Sequence, residues 1–191
     1  MRLPIRGFLE KYSPKLILIL LDTTTSKTAI ISFSSAILLT GVWLIPWGNI
    51  WIGTSLIIMI GILSLFKYAF HHTRQSPPLV KMSVELSLGW INIATVANVT
   101  IWLLSVGFTG YGISQIYWAI GVLFLALGLT LIYQIRYHSF IISLVFIWTM
   151  IGEWIAYENN FQRGFIVLFG CGAIGGMLYD FLKEKKTHRN D

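Results

Sequence analysis

The sequence predicts an all-α fold: a polytopic membrane helical bundle of about six transmembrane helices, with both termini cytoplasmic. Three observations predict it. Of the 191 residues, 55% are hydrophobic and only 12% are charged. The apolar residues gather in successive runs near the roughly 17–25 residues that a helix needs to cross a bilayer. When the chain is threaded alternately through those runs, thirteen of its fourteen Lys and Arg residues fall on one face. The length suits one bundle rather than several domains.

Residues 1–28 form a basic segment, with Arg2, Arg6, Lys11, Lys15 and Lys27 around an LILILL run at 16–21. The run is short and lacks a small-residue cleavage site, so no cleavable signal peptide is expected. It reads as an interfacial segment or as the remnant of a lost first span. A disordered basic arm fits equally well. The bundle is expected over 29–182. Its first helix covers 29–47 and ends at Pro46, and the second covers 50–70. The break between them, WGN, is short enough to force an antiparallel pair. The loop 71–82 holds Pro77-Pro78. The third helix covers 83–106, the fourth 114–135, the fifth 139–157 and the sixth 161–182. A basic tail follows at 183–191.

The N-terminal segment, Lys67, Arg74, Lys81, Arg136 and the tail lie on one side of this threading, and Arg163 alone on the other. The positive-inside rule makes the first side cytoplasmic or its equivalent. The net charge of +6 is therefore topological, with affinity for anionic headgroups as an extra. No basic groove interleaved with aromatics is seen, so nucleic acid is excluded as a partner.

The third helix organises the rest. It would span roughly 36 Å. Asn92, Thr95, Asn98 and Trp102 fall within an arc of roughly 120°. Trp90, Ala94, Ala97 and Ile101 make a second stripe, small in its middle. Two Asn at mid-depth need partners inside the protein, so this helix should face the bundle interior.

Of the eight tryptophans, Trp47, Trp51, Trp102, Trp118 and Trp154 read as an interfacial belt. Trp43, Trp90 and Trp148 lie deeper and are candidates for an internal pocket or for core packing. Glu85 suits the start of the third helix. Glu153 lies near the outer surface, where a proton relay would need an acidic partner that no other helix supplies. Glu158 falls in the adjacent loop. His71, His72, His138 and His188 stand at helix ends or in the tail and read as solvated; the alternative is axial ligation of a haem or chlorin. No metal-binding spacing, phosphate loop, nucleophile with its base or paired carboxylate occurs, and Cys171 is the single cysteine. No enzyme is expected. In the sixth helix Gly172 and Gly176 stand in GxxxG spacing, which permits close helix packing within the bundle or across a homodimer.

The third helix carries a resemblance. Trp90, Ala94, Thr95, Asn98 and Trp102, as W-x3-A-T-x2-N-x3-W, are similar to the last helix of the TspO/MBR family, the tryptophan-rich sensory and translocator proteins. The string GWINIATVANVTIWLL resembles the longer members, which carry extra helices. SAILLTGVWLIPWG resembles the family's second helix, with Trp43 on its Trp, but Thr40 stands where the family has Asn. The family's first helix and its WY, KP and W-x-PP motifs have no counterpart here. Val99 stands where sterol-binding members have Tyr, so sterol recognition is not carried over.

The resemblance implies a membrane receptor, sensor or carrier for a hydrophobic planar ligand, a tetrapyrrole such as a porphyrin, haem or chlorophyll-like pigment, with no required cofactor. It implies that Trp43, Trp90, Ala94, Thr95, Asn98 and Trp102 line the ligand pocket. The partner in every reading is the lipid bilayer, of a bacterial inner membrane or an organelle. The second reading is a structural or accessory subunit of a larger membrane complex. The third is a small transporter, which calls for an inverted repeat and a midplane charge.

Overall fold

The computed structural model describes residues 25–156 and 160–187. The basic segment up to residue 24, Glu158 and the tail from His188 lie outside them. The chain folds as α1 (Lys27–Gly48), α2 (Ile52–His72), α3 (Pro78–Ser105), a 3₁₀ turn at Gly110–Gly112, α4 (Gln115–Tyr137), α5 (Phe140–Ala156) and α6 (Asn160–Thr187). The described residues contain no strand. Helices α1, α2, α3 and α4 are long and apolar enough to cross a membrane; α5 and the Arg163–Tyr179 stretch of α6 are shorter. At 17 residues α5 reaches about 26 Å.

Local chemistry sets the ends. Pro46 does not stop α1, which runs two residues further to Gly48. A proline this near the end leaves little helix to disturb. The last carbonyls of α1 find partners in the turn: Asn49 Nδ2 donates to Ile45 O at 2.8 Å and Trp51 N to Pro46 O at 2.8 Å. The turn into α2 puts Ile50 at φ 59°, a left-handed conformation that a β-branched side chain resists. At the other end of α2, Pro78 opens α3 rather than lying in the loop. Proline suits the first helical position, where its missing N–H would go unused. His138, at φ 54°, closes α4 with its N–H on Gln134 O at 2.9 Å and turns the chain directly into α5.

The helices pack in two groups. Helices α1, α2 and α3 pack in sequence, α4, α5 and α6 pack on one another, and α3 joins the groups through α5 and α4. One core holds Met59, Ile62, Phe66 and Phe70 of α2, Val84, Leu88 and Ile91 of α3, and Tyr133 and Ile142. A second holds Ala126, Leu127, Phe146, Met150, Ile166, Phe169 and Ala173 of α4, α5 and α6. In lipid, apolar burial between helices gives little net drive, so close fit and polar pairs matter more. The fit is visible at three glycines. A Cβ on Gly89 would lie 3.2 Å from Val145 Cβ, one on Gly172 3.2 Å from Leu127 Cδ2, and one on Gly176 2.5 Å from Leu131 Cδ2. The GxxxG pair of α6 thus faces α4 of the same chain.

Candidate ligand-binding site

The polar face of α3 is satisfied mostly by its own backbone. Asn92 Nδ2 donates to Leu88 O at 2.9 Å, Thr95 Oγ1 to Ile91 O at 2.6 Å, Asn98 Nδ2 to Ala94 O at 2.9 Å and Thr100 Oγ1 to Val96 O at 3.0 Å. Each bond reaches back one turn, which lets a helix keep hydroxyls and amides away from water. Two residues also reach across. Asn98, 4% exposed, accepts on Oδ1 from Ser55 Oγ of α2 at 3.3 Å. Asn92 stands within reach of the Tyr133 hydroxyl of α4. A parallel link, Ser143 Oγ to Gln134 Oε1 at 2.8 Å, ties α5 to α4.

The residues singled out in the sequence are not gathered around one cavity. Trp90 and Trp148 face outward, 51% and 61% exposed, with ring centroids 5.3 Å apart. They edge an external cleft with Leu86, Ile141 and Val145 rather than an internal pocket. Trp43 stacks on Trp47 at 5.2 Å against the α1–α2–α3 core. Its Nε1 is buried without a hydrogen-bond partner among the described residues. Ala94 packs on the same core. Asn98 lies in the α2–α3 contact. Trp102 lays its indole beside Gly53, where a Cβ would come within 3.7 Å of Nε1. Thr40, in the position of the family's Asn, bonds back to Ala36 O at 2.8 Å.

Thr95 is the exception. It borders a cavity of about 480 Å³ between the C-terminal half of α3 and the N-terminal half of α4. Val99, Thr100 and Leu103 form one wall, Ala119 and Val122 the other, and the 106–114 connection covers the end with Phe108 and Gly110. Trp118 links the cover to the wall. Its Nε1 donates to Gly110 O at 3.3 Å, and its ring meets Phe108 edge-on at 5.2 Å. Gly110 has φ +74°, and a Cβ there would lie 2.7 Å from Trp118 Cδ1. Both the backbone and the ring require glycine at this position. The volume falls within the roughly 300–1,000 Å³ of small-molecule sites. The lining is apolar and aromatic with three threonines, and it contains no His, Cys or Met. It can hold a flat apolar body but offers no axial ligand to a metal.

By sequence alone Trp118 reads as an interfacial-belt residue, and Phe108 and Gly110 are not among the candidate residues. The string GFTGYGIS at 107–114, with glycines and aromatics alternating between two apolar runs, was the available signal.

A family model described as TSPO-like protein matches residues 21–179. No curated protein and no solved structure matches the chain.

Proposed function

The chain belongs to the TSPO-like family and is an integral membrane protein, and from that premise we propose that it is a non-catalytic receptor or carrier for a hydrophobic planar ligand of the tetrapyrrole class. The observation that supports this most is the apolar cavity between α3 and α4, covered by the 106–114 connection. Phe108 and Trp118 supply aromatic surface, and Ala119 leaves room for a flat ligand. The hydroxyl oxygens of Thr95 and Thr100, whose protons go to Ile91 O and Val96 O, can still accept from a polar edge. Because the lining holds no His, Cys or Met, the ligand is bound through its faces and rim, and metal-free porphyrin suits the site as well as haem. Both termini are cytoplasmic in this reading, following the distribution of Lys and Arg.

The test is a titration of the purified, detergent-solubilised chain with metal-free protoporphyrin, followed at the Soret band, beside Val99→Trp. Val99 stands at the cavity rim, 36% exposed, so a larger ring there fills space without breaking a core contact. The reading expects saturable one-to-one binding that Val99→Trp weakens. Unsaturable uptake, equal in both proteins, would sink it.

A second reading, a subunit of a larger membrane complex, is favoured by the outward Trp90–Trp148 pair and its cleft. It predicts a stoichiometric membrane partner that copurifies with the wild type and not with Trp90→Leu.

A further inference from the structure

On the other side of the α3–α4 contact lies a second cavity of about 250 Å³, bounded by α3, α4, α5 and α6. Its walls are apolar, with Ala97, Ile101, Ile120 and Phe165 among them. The polar exceptions are Thr100, whose hydroxyl is spent on Val96 O at 3.0 Å, and Glu153. Glu153 stands one turn before the end of α5 and is half-buried. Among the described residues no hydrogen bond or ion pair reaches its carboxylate. Arg163, the basic residue nearest in sequence, lies over the Trp154 ring at 5.3 Å.

A carboxylate facing an apolar space among membrane helices is costly and calls for a counter-charge. The surroundings narrow its identity. A metal ion would need several oxygen or nitrogen ligands, and no group of three His, Cys, Asp or Glu side chains is found among the described residues. A proton relay needs a second titratable group, which this cavity lacks. An organic ammonium ion needs one opposite charge and hydrocarbon walls, and the cavity has both. The volume lies below the range of drug-sized sites, so the cation is small.

We propose that this cavity binds a small organic ammonium ion, with Glu153 as its counter-ion and the walls of α3, α4 and α6 around its hydrocarbon part. The two cavities share Thr100, Ala119 and Val122 in their walls, but the assignment rests on a different side chain and a different ligand class from the planar-ligand reading.

The test uses the full chain in nanodiscs of neutral phosphatidylcholine. Binding of radiolabelled benzyltrimethylammonium is measured by equilibrium dialysis, with its uncharged isostere neopentylbenzene as competitor. Two variants accompany the wild type: Glu153→Gln, which keeps the shape and removes the charge, and Ala97→Phe, which fills the space from a residue exposed outside the core. The expected result is saturable one-to-one binding, weakened at least about tenfold in each variant, the ratio that roughly 1.4 kcal/mol produces, with no displacement by the isostere. No saturable binding to the wild type, equal binding to Glu153→Gln, or equal competition by neopentylbenzene would overturn the proposal.

Discussion

If Asn98 braces α2 against α3, removing it should cost stability and spare ligand binding. The bond to test joins Ser55 Oγ and Asn98 Oδ1 at 3.3 Å, between residues 0% and 4% exposed. Hydrogen bonds between membrane helices average about 0.6 kcal/mol and reach about 1.7 at most. This one is longer than the roughly 2.5–3.0 Å of most hydroxyl donors. Its loss is also cushioned, because a freed serine hydroxyl can turn back to the carbonyl one turn earlier, here Trp51 O, which already accepts the Ser55 N–H at 2.9 Å. The expected coupling between Asn98→Leu and Ser55→Ala is therefore about 0.5 kcal/mol, at the low end of the measured range. A double-mutant cycle on equilibrium unfolding in mixed micelles, followed by far-ultraviolet circular dichroism, reads it directly. In the same proteins, affinity for protoporphyrin should stay within about twofold, a shift below roughly 0.5 kcal/mol. Strictly additive effects would refute the brace. Lost porphyrin binding in an Asn98→Leu protein of undiminished stability would return Asn98 to the ligand site.

Three further outcomes follow from the backbone and the glycines. Gly110→Ala should cost at least about 1–2 kcal/mol from its left-handed backbone alone, because the added Cβ also meets the Trp118 ring; thermal unfolding should fall and porphyrin affinity with it. Gly176→Ala and Gly175→Ala should differ in sign or size: a Cβ on Gly176 meets Leu131 Cδ2 at 2.5 Å, whereas one on Gly175 meets nothing within 4 Å. The Gly175 change should gain up to about 1 kcal/mol of helix propensity and the Gly176 change should not, as parallel melts of the two variants will read. Ile50→Gly should raise the unfolding midpoint, since it relieves a left-handed cost of about 1–2 kcal/mol at φ 59°, less the extra freedom glycine gives the unfolded chain.

The helices and their order were legible because apolar runs and short breaks are written directly in composition. Helix ends were less so. Pro46 reads as a stop, yet it removes only its own N–H from the ladder and leaves the two residues after it free to stay helical. Pro78 reads as loop, yet it serves as a first helical residue. Facing was the hardest to read. Lipid and core are both apolar, so a Trp on a membrane helix carries no mark of which it meets. Trp90 and Trp148 therefore read as interior and stand outside. The resemblance placed a ligand pocket against α3, but a Thr or Asn bonded one turn back looks the same in sequence as one waiting for a ligand. The GxxxG pair fitted two surfaces by spacing alone, and only the positions of Leu127 and Leu131 relate it to α4. The covering connection owes its form to left-handed backbone at Gly107, Gly110, Tyr111 and Gly112, which composition hints at and does not arrange.

The proposed seat of the planar ligand, between α3 and α4, can be located by the ligand's own photochemistry. Bound protoporphyrin makes singlet oxygen on illumination, and the tryptophans nearest to it oxidise first. Illuminating the complex with azide present to quench singlet oxygen that escapes into bulk, then mapping oxidised tryptophans by mass spectrometry, locates the ligand. Trp118 should be modified first, in proportion to saturable porphyrin binding, with Trp90 and Trp148 spared. Modification of Trp90 and Trp148 ahead of Trp118 would contradict this seat and place the ligand in the outer cleft.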